Sequence, residues 1–248
     1  MKKIVTGFFM SWGMFCAIPC PLKLWDESAK LLSVVFIPFI GAIIGAIWSV
    51  CALILELLNA PQLITAVLLT ICPYLLSGFI HLDGFMDCCD AILSRRDLPE
   101  RQKILKDSHT GAFAVICVCI LMLCSFAVFG SLPDDKPLWA LLFIPAAARC
   151  VSAVSVLSFK PIGHSGYAHA FEASHKGYFI CSLCIWAVFV ILPVILFGAV
   201  GLCAAVTSLG SLIAVLYARR QLGGMSGDIS GYGITIGECV GAALFVLL

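Results

Sequence analysis

The chain has 248 residues, 62% of them hydrophobic and 12% charged, with a formal net charge of +1 and a mean hydropathy of +1.09. This composition excludes an ordinary water-soluble domain, and the near-zero net charge excludes general affinity for nucleic acid. At about 20 residues per bilayer crossing the length suits six to eight helices in one membrane domain over residues 1–248, with the lipid bilayer as solvent and no second soluble domain.

Taken in order, apolar runs suited to helices cover 4–20, 31–58, 61–80, 109–132, 138–159, 177–197, 200–218 and 229–248. Three polar intervals, 81–108, 160–176 and 219–228, carry Arg95, Arg96, Arg101, Lys103 and Lys106, then Lys160 and Lys176, then Arg219 and Arg220. The positive-inside rule predicts all three on the cytoplasmic side of the cell membrane, and the acidic Asp134-Asp135 connection outside. Counting spans keeps all three inside, and counting back puts Lys23 to Lys30 inside as well, on the side expected for Lys2 and Lys3, so the first run does not cross. The expected fold is therefore an all-α polytopic helix bundle of about seven transmembrane helices, plus a re-entrant or interfacial N-terminal helix ended by Pro19 and Pro21. A cleaved secretory leader over residues 1–20 is the competing reading, but it would put the basic residues of 95–106 outside. The 14 cysteines, Cys181-x-x-Cys184 included, read as small apolar residues without metal-ligand spacing.

The richest polar cluster, His81-Leu82-Asp83-Gly84 followed by Asp87 and Asp90, directly continues an apolar run and is expected to stay helical. Spacings of four and three residues put the three aspartates on one face, over roughly 10 Å. Two carboxylates ~6 Å apart at an effective dielectric constant near 20 repel by about 3 kcal/mol. A divalent cation removes that cost, and oxygen ligands point to Mg²⁺ or Mn²⁺. The alternative is a solvated helix end paired with Arg95 and Arg96. Gly84 admits either a phosphate or a close helix.

Lys106, Asp107 and Ser108 open the next span; Asp107 is a candidate metal ligand or, like Ser108, an N-cap. Gly223-Gly224-Met225-Ser226-Gly227-Asp228 is a turn entering a helix whose free N–H groups suit phosphate, with Asp228 as metal ligand or cap. Gly227 with Gly231, and Gly233 with Gly237, read as helix-packing pairs. Glu238, Glu56 and Arg149 lie within apolar runs and need partners, Arg149 being the phosphate candidate among them. His164, His169 and His175 read as loop residues.

These motifs, with Ile18-Pro19-Cys20-Pro21 and Gly111, resemble in order and over nearly the whole chain the cobalamin synthase family, the adenosylcobinamide-GDP ribazoletransferases. The resemblance implies an Mg²⁺-dependent transferase of the last lower-ligand step. In that reaction α-ribazole or its 5′-phosphate attacks the diphosphate of adenosylcobinamide-GDP and GMP is released. It implies metal binding by Asp83, Asp87, Asp90, Asp107 and Asp228, and substrate contacts from Gly84, Lys106, Ser108, Arg149, Gly224 and Gly227. His81 or one carboxylate would take the ribose proton, with Glu238 in support. Implied partners are a second copy of the chain or other corrinoid-pathway enzymes. Two departures stand near the diphosphate motifs: Ala17 and His109 occupy positions where the family usually has Arg. A cation- or proton-coupled transporter using the same acids, and a membrane scaffold, are the alternatives.

Overall fold

The computed structural model describes residues 2–163 and 176–248, so His164, His169, His175 and most of the 160–176 interval lie outside the described residues. Its helices are α1 (Lys2–Phe15), α2 (Lys30–Leu57), α3 (Gln62–Leu76), α4 (Ile80–Leu93), α5 (Leu98–Ile104), α6 (Ala112–Gly130), α7 (Phe143–Ser158), α8 (Lys176–Trp186), α9 (Leu192–Phe197), α10 (Leu202–Leu222) and α11 (Gly227–Leu247). Among the described residues six helical stretches are long and apolar enough to cross a membrane, or seven if α3 and α4 together make one span. The chain is an all-α polytopic membrane bundle. At 14 residues α1 is too short to cross, and it packs along α2.

The sequence suggested one continuous helix from 61 into the aspartate cluster; instead α3 and α4 meet at 92°. Gly78 and Phe79 take left-handed φ values of 64° and 62°, which ends an α-helix because the next carbonyls point away from its axis. The Ser77, Gly78 and Phe79 N–H groups close α3 on Pro73, Leu75 and Tyr74, and α4 restarts with Asp83 N–H donating to Phe79 O at 2.9 Å. The 177–197 run also breaks. A π-turn over Ala187–Ile191 joins α8 to α9 just before Pro193, whose missing N–H cannot continue the α ladder.

α11 is the central helix, packed on α10, α4, α7 and α6. Lipid gives no hydrophobic drive for helices to associate, so close van der Waals approach does the work. Gly233 meets Val215, Gly237 meets Ser211, and Gly241 meets Thr207 along α10; Gly41 and Gly45 of α2 sit against Pro145 and Leu142 in the same way. α7 and α11 are mostly enclosed, whereas α6 and the α8–α9 stretch expose most of their apolar side chains outward.

The basic intervals gather at one end. Arg101 and Gln102 of α5 donate to the Gln221 side chain and the Leu222 carbonyl at 2.6 and 2.8 Å. Pro161 and Met225 form a short parallel bridge, in which Met225 N–H donates to Lys160 O and Ile162 N–H donates to Met225 O, both at 2.9 Å.

Candidate functional site

α4 and α11 approach closely beside this basic end. A methyl group on Gly84 would stand 2.8 Å from Asp228 Cα, and one on Gly231 would stand 2.8 Å from the His81 carbonyl. Both obstacles are backbone, so any larger residue would push the helices apart. Gly227 has open space around its Cα; it is not a packing glycine, and the expectation that it pairs with Gly231 in helix packing is corrected. Gly224 instead lies tight against Ile162, since a methyl there would be 2.9 Å from Ile162 Cγ1.

This approach sets Asp228 beside the carboxylates of α4. Asp87 feels the charges of Asp83, Asp228 and Asp90, while Asp83 and Asp228 act on each other. None of Asp83, Asp87 or Asp228 forms an ion pair among the described residues, and the expected partners Arg95 and Arg96 do not reach them. The Ser226 hydroxyl donates to Asp228 Oδ2 at 3.2 Å, while Asp83 and Asp87 accept no side-chain hydrogen bond among the described residues. Ser226 is also the cap of α11, accepting from Ile229 N–H at 3.3 Å, so Asp228 is free of that duty.

Asp90 is used differently. Its carboxylate accepts from Gly111 N–H at 2.5 Å and Ala114 N–H at 3.0 Å, capping α6 from a neighbouring helix. Asp107 and Ser108 were candidate caps for that helix, but α6 begins only at Ala112 and its own N-cap residue, Gly111, has no side chain. A methyl on Gly111 would sit 2.5 Å from Asp90 Oδ1. Asp90→Ala is expected to cost about 1–2 kcal/mol as a lost cap, and Gly111→Ala to destabilise in the same direction; thermal unfolding in detergent measures both.

Asp107 is exposed and turned to His109, which donates to its Oδ1 from the backbone at 3.1 Å and lies 2.7 Å away through Nδ1. Asp107 is thus engaged with its own loop, and Lys106 and Ser108 are exposed beside it. The hydrogen bond and charge of Asp107 raise the His109 pKa above its ordinary value, and those of His109 hold the Asp107 carboxyl below the usual range. The pair therefore favours the fold between the two pKa values and fades as pH rises through that of His109. An NMR titration should place the His109 midpoint above that of an ordinary histidine, and Asp107→Asn should lower it.

Arg149, the phosphate candidate, is 0% exposed. It donates to Glu238 of α11 and to Pro145 O at 3.1 Å, so two of the three charges expected to need partners find each other, while Glu56 is exposed near the end of α2. Burial leaves this guanidinium no opening toward a phosphate; it ties α7 to α11. Its Nε and Nη2 have no hydrogen-bond partner among the described residues.

Asp83, Asp228, Gly227 and His81 line one side of a cavity of about 260 Å³. The remaining walls are mostly apolar and come from α1, α2 and α7, including Phe15, Val34, Ile37 and Val156. His81 is 6% exposed, stacks on Phe15 with ring centroids 5.9 Å apart, and among the described residues has no hydrogen-bond partner for Nε2. Ser152 of α7 and Ser230 of α11 hydrogen-bond each other at the cavity wall. The contributions of α1 and of these serines were not legible in the sequence, where nothing sets them apart from other residues of apolar helices.

Among the described residues no three His, Cys, Asp or Glu side chains converge at full metal-ligand spacing. The donor set nevertheless fits a hard divalent cation. Asp83, Asp87 and Asp228 supply only oxygens, carry mutually repelling charge and have no cationic partner among the described residues, and such sites are commonly completed by substrate phosphate and water.

Comparison with known proteins gives a consistent answer. The family model for cobalamin-5-phosphate synthase matches residues 7–247. The adenosylcobinamide-GDP ribazoletransferase of Clostridium perfringens strain 13 is 37% identical over 254 residues, covering all of both chains. Those of Lachnoclostridium phytofermentans and Geobacillus sp. are 32% and 30% identical, covering 93% of this chain in each case and 89% and 91% of their own lengths. No solved structure matches the chain.

Proposed function

From the premise that the chain belongs to the cobalamin-5-phosphate synthase family and is a transferase of cobalamin biosynthesis, we propose that it joins ribazole, free or 5′-phosphorylated, to the phosphate of adenosylcobinamide-GDP, with Mg²⁺ and release of GMP. Family membership replaces the transporter and scaffold alternatives. In the proposed step a ribose hydroxyl oxygen bonds to the cobinamide-bearing phosphorus, the bridging P–O bond breaks, GMP leaves with that oxygen, and the hydroxyl proton passes to a protein base.

The observation that carries this reading is three carboxylates, Asp83, Asp87 and Asp228, that have no ion-pair partner among the described residues where two helices cross beside a cavity. They are the residues that would hold Mg²⁺, and the ion would supply charge neutralisation for the diphosphate and the leaving phosphate. Asp90 and Asp107 are left out because their oxygens are bound to the start of α6 and to His109. The N-terminus of α11 reaches the cavity through Ser226, Gly227 and Asp228 and suits a phosphate oxygen. A carboxylate of this site is the candidate to receive the proton, with His81 lining the same space.

The same geometry supports a cytoplasmic site: Arg95, Arg96, Lys160, Arg219 and Arg220 lie in segments joined at the end of the bundle where α11 starts. The test is GMP release by protein purified in lipid nanodiscs and given adenosylcobinamide-GDP and α-ribazole. Release that requires both substrates and Mg²⁺ supports the proposal; no metal-dependent release overturns it.

A further inference from the structure

We propose that the cavity beneath α1 is the binding pocket for the base of the acceptor nucleoside, so that its apolar wall sets which lower-ligand base is accepted. The inference rests on the function proposed above and assigns one of its two substrates to a place.

Size restricts the occupant first. About 260 Å³ lies just below the roughly 300–1,000 Å³ of pockets for drug-sized ligands, enough for a flat base with part of its sugar and too little for a corrinoid macrocycle. Chemistry restricts it further. Two aromatic rings, Phe15 and Phe159, line the cavity with Met14, Val34, Ile37 and Val156, surroundings that favour a planar, weakly polar ring.

A pocket built for guanine would offer several free donors and acceptors to its edge, because an unmatched polar edge in a dry site is costly. Here the Ser152 and Ser230 hydroxyls are engaged with each other. Asp83 and Asp228, which could read such an edge, carry the charge assigned to the metal. Of the side-chain nitrogens that line this cavity, His81 Nε2 is buried and lacks a partner among the described residues, matching the sparse hydrogen bonding of a benzimidazole-type base. The two acids then lie at the wall beyond the base, where the sugar hydroxyls and the diphosphate must meet. The apolar walls come from the ends of α1, α2 and α7, so exchanging side chains there changes the fit to the base without touching the carboxylates.

Val156 provides the test because it lines the cavity without contributing polar atoms. α-Ribazole affinity is measured by calorimetry on the full chain in nanodiscs, together with KM for each substrate, for wild type, Val156→Phe and Val156→Ala. Filling the cavity with Phe should weaken α-ribazole binding about tenfold or more and leave KM for adenosylcobinamide-GDP unchanged. Widening it with Ala should improve use of a ribazole analogue with a bulkier base relative to α-ribazole, which decides the matter if the Phe variant does not fold. A rise in KM for adenosylcobinamide-GDP with unchanged α-ribazole affinity would assign the cavity to the guanine and overturn the proposal. Unchanged α-ribazole affinity and unchanged base preference in a fully active protein also overturn it while leaving the transferase function standing; absence of GMP release by wild type removes both.

Discussion

Asp87→Asn, and separately Asp83→Asn, should each lower kcat for GMP release by about 10³-fold, the scale expected when a charge-organising group at a phosphoryl-transfer site is lost. Neither carboxylate has a hydrogen bond or ion pair that the fold relies on among the described residues, so the variants should insert and purify like wild type. A second signature follows from the electrostatics. Asp87 is surrounded by Asp83, Asp228 and Asp90, and removing one of these like charges relieves repulsion in the metal-free protein. The Asn variants should therefore unfold about 2–4 °C higher than wild type without Mg²⁺, on the scale of 1 kcal/mol of relief. Adding Mg²⁺ should raise the melting temperature of wild type by linkage and move that of the variants less. A variant that loses activity and thermal stability together, with an unchanged response to Mg²⁺, would mean that these acids hold the fold instead of the metal.

The second large effect concerns the core. Arg149→Met should destabilise the protein by about 3–5 kcal/mol, because Glu238, 4% exposed, then keeps a buried charge with no partner. Glu238→Gln should cost a similar amount by stranding the guanidinium. The double variant, Arg149→Met with Glu238→Leu, should recover most of the loss, since apolar replacement of a buried ion pair is often neutral or better. Thermal or denaturant unfolding of the four proteins in one detergent gives the coupling energy. If either single variant is as stable as wild type, the pair is not what joins α7 to α11.

Several of these features were readable before any coordinates. Glu238 and Arg149 stood out because a charge inside an apolar run is expensive, and that cost alone required partners; it could not reveal that the two would choose each other across 89 positions of sequence. Asp83 and Asp87 stood out through helical spacing, which α4 keeps. The same spacing also selected Asp90. Yet rotation about its own side chain and the position of α6 give that carboxylate to the Gly111 and Ala114 amides, a pairing that periodicity within one helix does not contain.

Sequence by itself determined the membrane class, the all-α architecture and the short first helix, because transfer into lipid is paid residue by residue and leaves its trace in composition and run length. Tertiary structure decided the 92° turn after α3, the closeness of Gly84 to Asp228, and the cavity that α1 helps to enclose. Each of these depends on which helices touch and at what angle, and that is set by packing between segments far apart in the chain.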